Sequence, residues 1–334
     1  MKRVMMGTCL VLLMVATANL FPGRAQEAAA AAANPSERPP THNWAAGNPL
    51  KVALLKWYQA NLSTHFKTGQ QPIGVAFDGA NIWTANYGAG TVTKLRGSDG
   101  EALGTFKVGA APYGVTFDGA NMWVSNQGDG TVSKLRASDG KTLGTFPVGP
   151  FPGWMAFDGA YIWVTTVPST TGSVSKLRAS DGKIVGNFVV GLSPTAIAFD
   201  GNNIWVTNNG DKTVNKLRAS DGRNLGIFTT GFQPLGIAFD GANIWVANRS
   251  NDTVTKLRAS DGKNLGNFFA PGGPYGVAFD GTNIWVSGDS FVVELRASDG
   301  TGLGRWPTSG TTGIAFDGAN IWTAGFSEGG VAQF

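Results

Sequence analysis

The stretch PYGVTFDGANMWVSNQGDGTVSKLRASDGKTLGTFPVG, residues 112–149, decides the fold because the chain repeats it. Its central phrase is Phe-Asp-Gly, then any two residues, then Ile or Met, then Trp. The phrase begins at seven positions: Phe77, Phe117, Phe157, Phe199, Phe239, Phe279 and Phe316. The intervals between these positions are 40, 40, 42, 40, 40 and 37 residues. A period near 40 residues is typical of a solenoid, an array or a propeller.

Each repeat contains four short strand-like runs. In the second repeat they are 114–117, 122–125, 131–136 and 142–148, and turn signals built on Asn, Asp and Gly separate them. Such turns between β-branched and aromatic runs indicate hairpins, because Gly readily adopts a positive φ. Four antiparallel strands in about 40 residues make one propeller blade. The 48 glycines and the lack of helical periodicity exclude helical repeats. We therefore predict an all-β, seven-bladed β-propeller of four-stranded antiparallel blades.

The two ends of the repeat region predict how the ring closes. The seventh repeat stops at Phe334, which aligns with Leu95 in the third strand of the first repeat. Its fourth strand is missing, but Phe66-Lys67-Thr68-Gly69 matches Phe106-Lys107-Val108-Gly109 at an offset of 40 residues. We predict that this N-terminal strand completes the last blade and removes the exposed edges of an open array.

The N-terminal residues predict export. Residues 1–25 have the form of a secretory signal peptide, with Lys2 and Arg3 before an apolar run and Gly23-Arg24-Ala25 before the cleavage point. A membrane anchor is the alternative, since the run is near the shortest spanning length. With cleavage, no transmembrane segment is expected, and we predict a monomer in the periplasm or outside the cell.

Two further segments separate the signal peptide from the propeller, which we assign to residues 62–334. Residues 26–47 form an Ala- and Pro-rich leader, predicted to be flexible. Residues 48–61 predict a short amphipathic helix, with Asn48 as N-cap and Pro49 at its first position. This helix either packs on the propeller or docks to a partner or membrane.

Charge and cysteine content narrow the possible partners. The net charge of +4 includes Lys2, Arg3 and Arg24, so the mature chain has 23 basic and 22 acidic residues, a net charge of +1. This balance does not support nucleic acid as a partner. Cys9, the one cysteine, leaves with the signal peptide, so the mature chain forms no disulfide and has no thiol nucleophile.

The repeated Phe-Asp-Gly-Ala-Asn-Ile-Trp-Val-x-Asn phrase, followed by Thr-Val-x-Lys-Leu, resembles the secreted bacterial YVTN/NHL-type propellers over residues 63–334. The resemblance implies the fold but not one function, because such scaffolds host ligand binders, protein-binding modules and some enzymes. The streptogramin lyases look like distant seven-bladed relatives, and they use histidines, a carboxylate and a magnesium ion at the channel mouth. This chain has only His42 and His65, both before the first repeat, so the lyase site does not carry over.

Residues that all repeats share are predicted to be scaffold. An aspartate recurs in the first turn of every repeat and in the third turn of six: Asp78, Asp118, Asp158, Asp200, Asp240, Asp280 and Asp317, then Asp99, Asp139, Asp181, Asp221, Asp261 and Asp299. We predict turn-stabilising roles for them rather than cation binding. The Lys and Arg of Lys-Leu-Arg are predicted to pair with these aspartates, a polyanion-binding belt being the alternative. The recurring tryptophans are predicted to pack between blades, a ring of exposed sugar-stacking tryptophans being the alternative.

Residues that vary between repeats lie in the loop between the second and third strands and in the loop joining successive blades. Both loops emerge on the same face of a four-stranded blade, and loops on a rigid scaffold commonly carry function. Aromatic residues with Arg are typical of binding hot spots. The candidate ligand-binding residues on this variable face are Tyr87, Tyr113, Trp154, Thr195, Asn209, Phe232, Arg249, Tyr275, Asp289 and Phe326. The alternative is that some of these aromatics plug the channel.

The favoured function is therefore a non-catalytic, exported binding propeller that uses the variable face to hold a protein, peptide or glycan. We assign no catalytic residue, metal ligand or cofactor. The first alternative is a lyase- or lactonase-like enzyme with a cation at the channel mouth, its carboxylates drawn from Asp129, Asp211, Asp252, Asp289 and Glu328. The second alternative is a structural surface-layer protein.

Overall fold

The computed structural model describes residues 64–167, 171–327 and 329–334. The predicted signal peptide 1–25, leader 26–47 and helix 48–61 lie outside these residues and stay predictions. Within the described ranges, no helix is long and apolar enough to cross a membrane.

The described residues form 28 strands in seven four-stranded antiparallel sheets, which we call blades 1 to 7. Blades 1 to 6 take their strands in chain order, four at a time, from β2 to β25, and blade 7 contains β26, β27, β28 and β1. The strand bounds are β1 Thr64–Lys67, β2 Pro72–Phe77, β3 Asn81–Asn86, β4 Thr91–Arg96, β5 Ala102–Lys107, β6 Pro112–Phe117, β7 Asn121–Asn126, β8 Thr131–Arg136, β9 Thr142–Pro147, β10 Met155–Phe157, β11 Tyr161–Thr166, β12 Ser173–Arg178, β13 Ile184–Val189, β14 Pro194–Phe199, β15 Asn203–Asn208, β16 Thr213–Arg218, β17 Asn224–Thr229, β18 Pro234–Phe239, β19 Asn243–Asn248, β20 Thr253–Arg258, β21 Asn264–Phe269, β22 Pro274–Phe279, β23 Asn283–Gly288, β24 Phe291–Arg296, β25 Gly302–Pro307, β26 Thr311–Phe316, β27 Ile321–Gly325 and β28 Gly330–Gln333.

The blades close into a ring. The innermost strands contact one another in the order β2, β6, β10, β14, β18, β22, β26 and back to β2. In blade 7, β1 pairs antiparallel with β28, with Phe66 opposite Val331, and so supplies the fourth strand. The predicted seven-bladed propeller and its closure by an N-terminal strand are both confirmed.

A hydrogen-bonded link between Asp and Trp stabilises the first turn of every blade. In blade 4, Asp200 Oδ1 accepts the backbone N–H groups of Asn202 and Asn203 at 2.9 and 2.7 Å. Its Oδ2 accepts the indole N–H of Trp205 at 2.7 Å. The same 2.7 Å link from Trp to Asp occurs in the other six blades. The predicted scaffold role of these aspartates is therefore confirmed.

The recurring tryptophans fill the interfaces between blades. Trp83 of blade 1 packs against Val115, Met122 and Leu135 of blade 2. Six of the seven are completely buried, and Trp285 is partly buried. Their burial confirms the packing role and excludes a ring of exposed sugar-stacking tryptophans.

The structure corrects the predicted role of the repeated lysines. The arginines do pair with third-turn aspartates, as in Arg136 to Asp139 at 3.0 Å. Lys134, however, is buried. Its Nζ donates to the carbonyl of Ala179 in the next blade at 2.6 Å. Blades 1, 3, 4 and 5 make the same bond across their interfaces. The lysines therefore join blades through backbone carbonyls instead of forming a charged rim with the aspartates.

Blades 6 and 7 lack the repeated lysine. Glu294 stands where blade 6 would have this lysine, opposite Trp285. Burial, together with the charge of Asp280, raises the pKa of Glu294, and Asn283 donates to its carboxylate at 2.8 Å. Gln333 takes the lysine position in blade 7, since it lies opposite Trp322 as Lys94 lies opposite Trp83.

Blades 1 and 7 each bury one hydroxyl group that has no hydrogen-bond partner. Thr84 and Thr323 follow the constant Trp and are completely buried, and neither hydroxyl has a hydrogen-bond partner. The other five blades have Val at this position. We expect Thr84→Val to raise the free energy of unfolding by about 1 kcal/mol, because it removes an unsatisfied buried polar group without changing shape.

Chemical denaturation of both proteins measures this change. The matched control is Val124→Thr in blade 2, which should lower the free energy of unfolding by a similar amount. A Thr84→Val variant that is no more stable than the parent would show that the hydroxyl has a compensating partner.

Candidate binding site at the channel mouth

The two variable loops of each blade are bonded to each other. In blade 1 the backbone N–H of Tyr87 donates to the carbonyl of Gln71 at 3.0 Å, and the other blades repeat this bond. In six blades the residue whose carbonyl accepts this bond comes directly before the first residue of the innermost strand, and in blade 3 the acceptor is Pro150. In four blades the acceptor is a non-glycine residue with φ between 50° and 54°. Both loops therefore lie together at one mouth of the channel, as their variation predicts.

Close approach of the innermost strands narrows this mouth. A Cβ atom on Gly74 would lie 2.4 Å from the carbonyl oxygen of Tyr113, and one on Gly236 would lie 2.3 Å from that of Tyr275. Glycine is therefore required there. Blade 3 departs from the pattern because Trp154 occupies the equivalent position, and its innermost strand begins only at Met155. In blade 3, Trp154 therefore lies just before the innermost strand instead of within it.

A hydrogen bond between two tyrosines crosses the mouth. Tyr113 lies on β6 and Tyr275 on β22, four blades apart in one direction around the ring and three in the other. Their hydroxyl oxygens are 2.5 Å apart. The interpretation that some aromatics close the channel therefore holds for this pair.

More aromatic rings extend the pair along the mouth. The ring of Tyr113 meets Trp154 edge-on, with centroids 5.5 Å apart, and Tyr87 edge-on at 6.5 Å. All three rings are partly buried, so each keeps some surface exposed to solvent. Edge-to-face aromatic contacts at these distances hold the rings in fixed orientations.

An exposed ion pair lies beside Tyr275. Arg249, in a short 3-10 turn over Arg249–Asn251, donates from Nη2 and Nε to Asp289 Oδ2 at 2.8 and 3.2 Å. The side chains are 44% and 47% exposed, so both charges are accessible to a ligand. The pair joins the loops of blades 5 and 6.

The tyrosine bridge is uncharged at neutral pH. Burial raises the pKa of Tyr113 well above its ordinary value, and neighbouring Tyr275 raises it further. Burial also raises the pKa of Tyr275, despite opposing effects of Tyr113 and Arg249. Both phenols therefore remain protonated, and the bridge is a hydrogen bond between neutral groups.

Six of the ten candidate residues come together: Tyr87, Tyr113, Trp154, Arg249, Tyr275 and Asp289. A seventh, Thr195, is used internally, because its hydroxyl contacts Thr207 at 2.8 Å and donates to the carbonyl of Pro234 at 3.0 Å.

The remaining three candidates contact neighbouring variable loops. Phe232 is 51% exposed and lies under Lys212 Nζ at 3.8 Å. The backbone N–H groups of Asn209 and Phe326 donate to Ser193 and Gly310. The structure gives none of these three a contact with the tyrosines. Sequence reasoning missed Lys212, although its position directly after the turn acid Asp211 could have drawn attention to it.

The acidic residues of the variable face have structural partners. Asp129 accepts the backbone N–H of Ala110 at 2.7 Å, and Asp211 accepts that of Leu192 at 2.6 Å. Asp252 accepts the N–H groups of Gly272 and Gly273. Glu328 lies outside the described residues. Across the residues that the structure describes, no three His, Cys, Asp or Glu side chains group as a metal ion would require.

Solved structures share this architecture at low sequence identity. One is described as hydrazine synthase of Kuenenia stuttgartiensis, with a TM-score of 0.72 and 18% identity over 81% of this chain and 97% of that one. Another is a streptogramin B lyase, with a TM-score of 0.70 and 18% identity over 81% and 96%. The likeness is one of fold.

A third similar structure, a functionally unknown protein from Desulfotomaculum acetoxidans, has a TM-score of 0.62 and 15% identity over 75% of this chain and 93% of that one. No protein-family model matches the chain, and no curated protein matches it. The predicted likeness to streptogramin lyases is confirmed as a shared propeller fold, and the resemblance to YVTN/NHL-type propellers is consistent with it.

Proposed function

We propose that this protein is an exported, non-catalytic binding propeller that holds a peptide segment or a glycan at the variable mouth of its channel. One observation carries the proposal: six variable residues from five of the seven blades converge there. They combine aromatic rings in fixed orientations with an exposed ion pair. Aromatic and arginine side chains of this kind dominate the energy of binding sites.

The contrast with the opposite face supports this assignment. On the constant face, the repeated aspartates are bonded to Trp, Arg and backbone groups that recur from blade to blade. Those groups stabilise the ring and offer nothing that distinguishes one blade from another. On the variable face, Trp154 replaces the glycine found in five blades, and the Arg249–Asp289 pair occurs once.

The ligand class follows from the exposed groups. The edges of Tyr87, Tyr113 and Trp154 suit a ligand with an apolar face, such as a sugar ring or an aliphatic side chain. Arg249 and Asp289 offer one donor fork and one acceptor, which suits a ligand with both amide or hydroxyl donors and acceptors. A strongly charged polymer would meet only one favourable member of this pair.

Binding to purified protein tests the proposal. We would screen oligosaccharides and short peptides by thermal shift, then compare each hit with Trp154→Ala and Arg249→Ala. Loss of a hot-spot side chain should weaken binding by about 30-fold or more, equivalent to ~2 kcal/mol. The matched control is Arg136→Ala, which removes an ion pair of similar exposure, 46% and 49%, on the constant face and should leave binding unchanged.

Other outcomes would contradict the proposal. Hits that bind Trp154→Ala and Arg249→Ala as tightly as the parent would place the site elsewhere. Stabilisation by Mg²⁺ or Ca²⁺ alone would favour a lyase- or lactonase-like enzyme with a cation at the mouth. Assembly of the purified protein into sheets would favour a structural surface-layer role.

A further inference from the structure

A polar groove, open to solvent, runs between the outer parts of blades 4 and 5. Its volume is about 420 Å³. The end of blade 4, the loop that joins the two blades and the outer half of blade 5 line it, chiefly with Thr229, Phe232, Asn251, Thr253, Asn264 and Asn267. No charged side chain lines the groove, and none of the residues assigned to the channel mouth does so.

Three asparagine side chains in this groove are fixed by their oxygen atoms. Asn251 Oδ1 accepts the backbone N–H of Phe232, and Asn264 Oδ1 accepts a backbone N–H two residues further on, at 2.8 Å. Asn267 Oδ1 accepts the hydroxyl of Thr255 at 2.7 Å. The Nδ2 atom of each asparagine donates to no other group in the part of the chain that the structure describes. The groove therefore presents three held amide groups with unused donors.

An aromatic ring and two hydroxyl groups lie beside these amides. The side chain of Phe232 is 51% exposed, and Lys212 Nζ lies 3.8 Å from the centre of its ring, a contact that helps to hold the ring. Thr253 Oγ1 accepts from Asn248 Nδ2 at 3.3 Å, which leaves its own O–H free to donate. The exposed hydroxyl of Thr229 can both donate and accept.

The fold does not require asparagine at these positions. Asp129 in blade 2 and Asp211 in blade 4 stand where blade 5 has Asn251, and they accept the same backbone N–H at 2.7 and 2.6 Å. Asparagine keeps this bond, removes the negative charge and adds a donor. No other repeat has asparagine at more than one of the three positions. The set of three amides is therefore particular to this groove.

We propose that the groove between blades 4 and 5 binds one neutral sugar unit of a glycan. The hydrocarbon face of the sugar packs on the exposed ring of Phe232. The Nδ2 groups of Asn251, Asn264 and Asn267 donate to its hydroxyl or carbonyl oxygens. An anionic sugar finds no charged partner in the lining. This site goes beyond the proposed function, since it shares no residue with the site at the channel mouth and does not depend on it.

NMR titration of the purified, isotope-labelled protein tests the proposal. The probe is the tetramer of N-acetylglucosamine, whose carbonyl and hydroxyl oxygens are acceptors. The side-chain amide signals of Asn251, Asn264 and Asn267 should shift as the tetramer is added. Maltotetraose and cellotetraose, which lack the carbonyl groups, are tested beside it.

The variants replace groove residues with residues that other blades have at the same positions, so each should fold. They are Asn251→Asp, Asn267→Thr and Phe232→Ala, which blade 2 contains as Asp129, Thr145 and Ala110. Each should weaken binding about tenfold, and the triple variant should bind no tetramer measurably. The matched control is Asn187→Thr in blade 3, which removes an equivalent bond from Ser175 at 2.7 Å and should leave binding unchanged.

Several results would overturn the sugar site. The first is that none of the three tetramers shifts the amide signals. The second is that the triple variant binds as tightly as the parent. Preference of the groove for an acidic oligosaccharide or for a peptide would also contradict the proposal. Trp154→Ala separates this site from the channel mouth, because it should leave the amide shifts intact whether or not the mouth binds a ligand.

Discussion

Removing residues 64–67 is expected to leave a protein that self-associates and unfolds without a single cooperative transition. These residues form β1, the fourth strand of blade 7, and without them the edge of β28 presents unpaired backbone groups. An exposed strand edge is a template for pairing with another chain. The deletion also removes Phe66, whose ring packs on Trp322 with centroids 5.3 Å apart.

Light scattering and thermal unfolding measure the two effects. Phe66→Ala alone, which keeps the strand, should cost about 3 kcal/mol of unfolding free energy. The matched control is Phe146→Ala, which removes the equivalent contact to Trp123 at 5.7 Å in blade 2. There the strand remains joined to its blade by a turn, so the variant should lose similar stability but stay monomeric. A deletion variant that stays monomeric, with the parent's melting temperature, would disprove closure by β1.

Asp200→Ala is expected to lower the free energy of unfolding by about 2–4 kcal/mol, because it leaves a buried indole N–H and two backbone N–H groups without their acceptor. Trp205 is completely buried, and the Asp200 carboxylate is the acceptor that its Nε1 loses. The control is Asp221→Ala in the third turn of the same blade. Asp221 pairs with Arg218 at 3.3 Å, and both side chains are about half exposed, so its loss should cost less than about 1 kcal/mol.

The pH dependence of this effect has a defined sign. Burial raises the pKa of Asp200, but hydrogen bonds from Trp205, Asn202 and Asn203 outweigh it and lower the pKa below the ordinary value of 3.8. Stability from this group is therefore complete above the unfolded-state pKa and is lost as the pH falls through the lower folded-state value. Denaturation at pH 7 and below pH 3.8 should show the gap between the parent and Asp200→Ala narrowing in acid. A gap that is constant with pH would mean that the charged carboxylate is not what Trp205 binds.

The blades were predictable because each repeat contains its own turn chemistry. Asp200 and Trp205 recur with fixed spacing, and a buried indole needs an acceptor, so their roles could be inferred from local sequence. The lysine bonds were not predictable in this way. The acceptor of Lys134 is the carbonyl of Ala179, 45 residues away, and carbonyl oxygens leave no signature in a side-chain pattern.

The candidate site was also only partly predictable from the sequence. Loop variation identified Tyr113 and Tyr275 as residues of one mouth, since both follow the proline that begins the innermost strand. Their direct contact depends on the diameter of the ring, which the repeat phrase does not encode. Phe232 and Phe326 also lie in the variable loops, but the structure places them against Lys212 and Gly310 and gives them no contact with the tyrosines.

The strand that closes the ring does not fix how many blades the ring contains. β1 completes whichever blade ends the chain, and each internal interface is built from the same repeated contacts. Recombination between near-identical repeats could therefore shorten or lengthen the ring by one blade and still preserve the closure. The hydrogen bond between Tyr113 and Tyr275 would not survive such a change, because it joins blades that are three steps apart in one direction around the ring and four in the other. The distance between the two hydroxyl oxygens therefore depends on the number of blades in the ring.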